Sequence, residues 1–336
     1  MTAMIEDIRS FYLLHGRRDP IPYGIGCAYV RDAAVHRAAY GSGVRYFDTS
    51  YNYGKGASEE VLGQFVAETD RGSIFIATKA IVVPGRLSGP EAAALVRASL
   101  EASLGRLRTD YIDLYQLHET TSLHQAFGED GILQMLQAAR REGLIRYIGI
   151  GTASHEVLGE AAASGAFDSI LTYGDYTPLE QSAQTLIQEA AASGVCVVNG
   201  SPLAGRLISR EDPRSLALTE DDHRRRRLPA AVAYRSWCAR GGVDPVGFAL
   251  QFPLGCPDIA LNLFGPASLG QLEENLDLLA EPFEQQAYDS WLQWYQAWRG
   301  GGGSDPEARR EEGERSCAIL TATCTSGSSR GEITAG

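Results

Sequence analysis

The chain has 336 residues, 44% hydrophobic and 21% charged, and its 42 acidic against 30 basic side chains leave a net charge of −12. That is globular composition, in a chain long enough to bury a full core without disulfides or metal. The acidic balance excludes nucleic acid as a partner, because phosphate recognition needs a cationic footprint, and it excludes an anionic membrane surface as well.

Short apolar runs alternate with longer segments of helical period. IPYGIGC (21–27) reads as a strand and 31–40 as a helix, closed by Gly41 and Gly43. VRYF (44–47) is the second strand. SEEVLGQFVAE (58–68) follows as a helix, with Ser58 as its cap and Val61, Leu62, Phe65 and Val66 as its apolar face. SIFIAT (73–78), a helix over 91–107 and YIDLYQL (111–117) continue the alternation. Next come GILQMLQAARREG, with Gly143 as its stop, and LIRYIGI (144–150). FDSILT (167–172), VCVVNG (195–200) and DIALNLF (258–264) complete a set of eight strands.

Strands that alternate with helices pair in parallel, and eight such units predict a single-domain (β/α)8 TIM barrel. No GxGxxG opens a helix, which counts against a dinucleotide-binding open sheet. The seventh connection, about 200–257, is long and carries two helical stretches, 229–240 and 245–251. The four arginines of EDDHRRRR (220–227) within it read as a solvated helix face. Helices at 270–279 and 282–298 follow the last strand, and the second carries a packing stripe of Trp291, Trp294, Tyr295 and Trp298. Residues 299–336 lose periodicity and are rich in Gly, Ser, Thr and Glu. They read as a disordered tail on a barrel spanning 1–298. Six cysteines without CxxC spacing, no charged-then-apolar leader and no membrane-length apolar run predict a cytoplasmic protein with reduced thiols.

Barrel enzymes place their chemistry at the C-terminal ends of the strands. The second strand ends in Asp48, the third in Lys79 and the fourth in His118, with Tyr53 five residues beyond Asp48. Of the 30 basic residues only two are lysines, Lys55 and Lys79. Lys55 reads as a solvated loop residue. A phenol has a pKa of about 10 and is a poor acid or base at neutral pH. An adjacent ammonium lowers that value, a carboxylate partners the buried ammonium, and an imidazole orients a carbonyl or alcohol by hydrogen bond. The four together can move a proton to or from an alcohol oxygen as hydride passes to or from a nicotinamide, and no metal is required. A guanidinium has a different shape and does not substitute for Lys79.

These motifs resemble the aldo-keto reductase family. FDTSYNYGKGASEEVLG (47–63) carries the resemblance, supported in order by IATK, YIDLYQLH, IRYIGIG, SPLAGRL (201–207) and GPASLGQLEEN (265–275). The resemblance covers about 21–280 and implies a (β/α)8 barrel that binds NAD or NADP and acts on a small-molecule sugar, aldehyde or ketone. It makes Tyr53 the general acid/base, tuned by Lys79, which Asp48 pairs, with His118 positioning the substrate oxygen. It places the cofactor on Gly26, Cys27, Thr152, Tyr173, Ser201, Leu203, Gly205, Arg206, Gly265, Gln271, Glu274 and Asn275. Where many members hold the nicotinamide amide with Ser-Asn and Gln, this chain has Gly151-Thr152 and Tyr173. LTYGDYTPLEQS (171–182) is similar to the branch of aldose and L-galactose dehydrogenases. Residues 258–276 contain no Lys or Arg to meet a 2′-phosphate, which favours NAD, although Arg206 or an arginine of the seventh connection can reach over the adenosine. The alternatives are a carbonyl reductase of a specialised metabolite and a catalytically weak, cofactor-sensing subunit. Tyr29, Phe127, Tyr176 and the tryptophans are candidate wall residues, and the family's N-terminal hairpin is not evident in 1–20.

Overall fold

All eight apolar runs become strands, and they close in chain order into one parallel barrel. The computed structural model describes residues 4, 6–8 and 23–306. The expected tail therefore lies largely outside the described residues. The strands are β1 (Tyr23–Gly26), β2 (Tyr46–Asp48), β3 (Phe75–Lys79), β4 (Ile112–His118), β5 (Ile145–Gly151), β6 (Ser169–Tyr173), β7 (Cys196–Gly200) and β8 (Leu261–Phe264). β1 pairs with β8 through Tyr23↔Asn262, Gly24↔Leu263 and Ile25↔Phe264, and this closes the ring.

The main helices between them are α1 (Ala33–Gly41), α2 (Ala57–Val66), α3 (Gly89–Leu107), a single turn α4 (His124–Phe127), α5 (Ile132–Arg141), α6 (His155–Ser164) and α7 (Gln184–Ala192). The seventh connection carries α8 (Leu228–Gly241) and α9 (Pro245–Gln251), and α10 (Leu269–Ala280) follows β8. Ser88 and Glu91 form a capping box on α3. Gly143, at φ 80°, follows the end of α5 as expected. Ser58 does not cap α2, contrary to the sequence reading. The helix starts one residue earlier, from Gly56 in a left-handed turn. The Ser58 hydroxyl is spent elsewhere, on the carbonyl of Cys27 at 3.0 Å and the hydroxyl of Thr49 at 2.8 Å.

Period-two alternation explains how one strand serves both core and site. Tyr46, Phe75, Ala77, Leu114, Leu171, Val198 and Leu263 belong to one buried apolar cluster inside the barrel. Two residues further along the same inward rows stand Asp48, Lys79, Gln116, Tyr173 and Gly200. The barrel is thus apolar below and polar at its C-terminal mouth. Its floor holds a feature the sequence did not disclose. Residues 4 and 6–8 are helical, and Met4 and Ile8 pack into the same cluster. Asp7 bonds the Tyr147 hydroxyl and meets Arg146 at 2.8 Å, both at the start of β5. Position 24 has room only for glycine, because a Cβ there would lie 2.7 Å from the Tyr46 ring.

The chain forms two compact units, Met1–Phe283 and Glu284–Gly336. The second contains α11 (Gln285–Gly300), where Trp291 stacks on Trp294 and Tyr295, and Tyr295 on Trp298. The expected stripe is therefore a ladder of rings along one helix. Among the described residues no helix is long and apolar enough to cross a membrane, and no cluster could hold a metal ion.

Glu59 shows how the loop after β2 is anchored. It is fully buried on α2, accepts the Thr78 hydroxyl of β3 at 2.6 Å, and pairs with Arg106 of α3 at 2.6 Å. Removing one partner of a buried pair strands the other. Glu59→Ala should therefore lower stability by about 3–5 kcal/mol, read by urea denaturation, whereas a solvated glutamate would cost almost nothing.

Candidate active site

The structure brings Asp48, Tyr53, Lys79 and His118 together at the C-terminal mouth of the barrel. Asp48, Lys79 and His118 are the last residues of β2, β3 and β4. Tyr53 comes from the turn after β2, where a 3.1 Å bond from its amide to the Ser50 carbonyl folds the chain back over the mouth. The Lys79 ammonium bonds Asp48 directly and the Thr49 carbonyl at 2.9 Å. Only 2% of the Lys79 and 3% of the Asp48 side chain is exposed. The ammonium lies 5.3 Å from the centroid of the Tyr53 ring, and that ring stands edge-on to His118 at 6.2 Å.

Two kinds of residue escape notice in the sequence. Gln116 donates its amide to the second oxygen of Asp48 at 3.0 Å, so both carboxylate oxygens are held. The signal was available, since Gln116 sits two before His118 on the same inward row. Ser50 and Asn52 reach His118 Nδ1 at 3.1 and 3.2 Å. The Asn52 amide nitrogen can only donate, and the Ser50 hydroxyl can do the same, which assigns Nδ1 as the acceptor and the ring proton to Nε2.

Charge follows from burial. Burial, with the nearby Lys79 charge, pulls His118 from the ordinary 6.5 down to about 3. The imidazole is therefore neutral at physiological pH and donates through Nε2–H. On Lys79 burial alone would act downward, but Asp48 and Tyr53 outweigh it and hold the ammonium above its ordinary value. Tyr53 is a contest. The Lys79 charge is the largest influence and acts downward, as expected, but burial and Asp48 together push further upward, so the phenol ends above its ordinary value.

The other predicted positions ring the same mouth. Gly26 ends β1, and Gly265 follows β8 so closely that a Cβ on it would lie 3.1 Å from the Gly26 carbonyl. Cys27 is buried behind them and Thr152 follows β5, also buried. Tyr173 ends β6 and donates its hydroxyl to Glu119 at 2.7 Å. After β7, Ser201, Ala204, Gly205 and Arg206 all have positive φ, of 59°, 48°, 63° and 73°. The Ala204 amide is taken by the Ser201 carbonyl at 2.9 Å, and Leu203 lies inside this tight turn. With the bare glycines at β1 and β8, this mouth could hold a dinucleotide. Gln271 accepts the Ala267 amide at 2.8 Å, Asn275 is buried, and Glu274 is exposed.

An arginine of the seventh connection does arrive at that end, and it is Arg210. It pairs with Glu274 at 2.9 Å and also with Asp244. The arginine run is not the wholly solvated helix face expected. It forms a 3-10 turn in which Arg227 is buried, with its Nε 3.6 Å from Glu180. Arg224 is anchored on Asp222 and donates to the Gly205 carbonyl at 2.8 Å. Only Arg225 and Arg226 remain exposed. Both anchored arginines line a cleft of about 410 Å³ beside Tyr173 and Ser201. Tyr176 is buried against Phe252 rather than forming a wall, and Phe127 meets Phe167 ahead of β6. Tyr29 does stand exposed, beside Gly265.

The low pKa of His118 has a consequence for stability. Between about 6.5 and 3 the unfolded chain takes up a proton that the folded site refuses, so stability falls as pH drops through that window. His36, lowered to about 4, adds to the same slope. His118→Asn should flatten the curve relative to wild type in urea melts at stepped pH. An unchanged slope would show that His118 titrates normally.

Comparison with known proteins agrees with this architecture. The model of the aldo/keto reductase family matches residues 29–295. L-galactose dehydrogenase of Arabidopsis thaliana is 31% identical, over 74% of this chain and 77% of the relative. D-threo-aldose 1-dehydrogenase of a Pseudomonas species is 28% identical, over 74% and 82%. The solved holo structure of an aldo-keto reductase from Bacillus halodurans superposes with a TM-score of 0.66 at 24% identity, covering 81% of this chain and 91% of that one, which supports the fold.

Proposed function

The chain belongs to the aldo/keto reductase family of NAD(P)-dependent oxidoreductases, and on that premise we propose that it is an NAD-linked aldose 1-dehydrogenase that oxidises a sugar at its anomeric carbon with Tyr53 as general acid/base. The carrying observation is the pairing of a phenol beside a buried ammonium with a neutral imidazole that carries its proton on Nε2. The sugar class draws support from the likeness to two aldose-type dehydrogenases over about three quarters of the chain.

A bound nicotinamide supplies the hydride acceptor or donor. The chain's residues supply the proton and the orientation. His118 Nε2–H donates to the substrate oxygen and fixes it beside the phenol. Tyr53 takes the alcohol proton in oxidation or gives it back in reduction. Lys79 offsets the charge of the phenolate in the first case, and Asp48 with Gln116 holds Lys79 in place. Gly26, Cys27, Thr152, Tyr173, the turn 201–206, Gly265 and the start of α10 would hold the dinucleotide.

The preference for NAD rests on local charge. Arg210 reaches Glu274, but two carboxylates share that one guanidinium, so the cluster is net negative. A 2′-phosphate carries close to two negative charges and would be repelled there. A second reading has its own observation. The raised phenol pKa keeps the proton on Tyr53 at neutral pH, which suits a carbonyl reductase. On either reading, oxidation of the alcohol should quicken as pH rises, because that direction needs the phenolate.

One experiment tests these assignments together. Intrinsic fluorescence titrated with NAD⁺ and NADP⁺ should give at least about tenfold tighter binding of NAD⁺, as expected for one repelled phosphate. An aldose panel should then show NAD⁺-dependent lactone formation that Tyr53→Phe lowers by about 10²–10⁴-fold, with NAD⁺ binding kept. Tighter NADP⁺ binding overturns the cofactor assignment. Absence of aldose turnover overturns the sugar assignment, and equal turnover by Tyr53→Phe overturns the mechanism.

A further inference from the structure

Glu119 follows His118 directly and lies outside the four proton-handling residues. Its backbone has a φ of +49°, which L residues seldom adopt. A glycine would make this turn with less strain, so the turn itself does not require a glutamate. The residue is held in place twice. Its amide bonds the Gly151 carbonyl at 2.9 Å, and its carboxylate accepts the Tyr173 hydroxyl at 2.7 Å.

The carboxylate oxygen that Tyr173 holds lies 3.8 Å from His118 Nε2, beyond hydrogen-bond reach. The side chain is 39% exposed, so lone pairs not held by Tyr173 remain accessible. A carboxylate has about four lone-pair sites, and Tyr173 takes one of them. An imidazole N–H that only donates thus stands beside a carboxylate that only accepts. The two groups suit different oxygens. His118 takes the oxygen on the reacting carbon. Glu119 needs a hydroxyl that donates, and the spacing suits one on the next carbon.

We propose that Glu119 is a specificity-determining residue, which accepts a hydrogen bond from the hydroxyl adjacent to the reacting carbon and so selects α-hydroxy carbonyl compounds and their sugar forms. The proposal rests on the hydride-transfer reading of the tetrad and deepens the aldose reading, since aldoses are themselves α-hydroxy aldehydes. Hydrogen bonds to a charged acceptor are stronger than neutral ones, and a site built for a hydroxyl discriminates sharply against an analogue that lacks it.

The test is steady-state reduction of glycolaldehyde and acetaldehyde, a pair differing only in that hydroxyl, with NADH or NADPH. Wild type should favour glycolaldehyde in kcat/KM by at least about tenfold, the size of one charged hydrogen bond. Glu119→Ala should bring the ratio to within about twofold, and Glu119→Gln, which still accepts from Tyr173, should fall between. Tyr173→Phe keeps the carboxylate and should keep most of the preference. An unchanged ratio in Glu119→Ala and Glu119→Gln, or equal use of both aldehydes by wild type, overturns the proposal. A collapse of the ratio in Tyr173→Phe equal to that in Glu119→Ala assigns discrimination to Tyr173 and overturns it too. A wild type that reduces neither, or a Tyr53→Phe that matches wild type on both, overturns the tetrad reading instead.

Discussion

The site depends on one ion pair sealed inside the barrel, Lys79 with Asp48. Both charges are almost wholly withdrawn from water, which is costly unless each is hydrogen-bonded on every side. The barrel meets that condition. Lys79 also donates to the Thr49 carbonyl, and Asp48 also accepts the Gln116 amide. The pair then acts outward. Its ammonium is the strongest influence on Tyr53 and contributes to keeping His118 neutral. A guanidinium at position 79 would keep the charge but not the compact geometry, which gives a physical reason for a lysine to persist where nearly every other basic residue is arginine.

The pair can exist because strand periodicity and barrel closure put it there. The inward rows of β2, β3 and β4 carry apolar side chains below and end in polar ones above. Met4 and Ile8 pack into the apolar layer beneath, so among the described residues the polar layer lies at the opposite, C-terminal end. Around it, strained and bare backbone replaces side chains. The positive-φ turn after β7 and the close approach of Gly265 to Gly26 leave backbone rather than side chains at the rim where a dinucleotide could lie. The same economy appears at Glu119, whose unfavourable φ presents a carboxylate beside His118.

Most of the barrel was legible in the sequence because its signals are local. Eight apolar runs, Gly143 after α5 and the two helices of the seventh connection all follow from patterns within about fifteen residues. Asp48, Lys79 and His118 were legible because each directly ends a strand. What was hidden depends on contacts distant in sequence. Ser58 looked like a cap, but the Cys27 carbonyl and Thr49 claim its hydroxyl. The arginine run looked solvated because its partners, Glu180 and the Gly205 carbonyl, come from other segments. Arg210 offered no signal of its approach to Glu274, 64 positions away. The net upward shift of Tyr53 was equally unreadable, since it depends on how deeply the mouth buries the phenol.

The central claim is that the Lys79 charge governs the Tyr53 proton. The pH dependence of aldose oxidation by wild type and Lys79→Met measures this most directly, with circular dichroism to confirm the fold. Loss of the ammonium should move the alkaline limb to higher pH and lower the rate at neutral pH, because the largest downward influence on the phenol is gone. A limb that stays in place in a folded Lys79→Met variant would contradict the account.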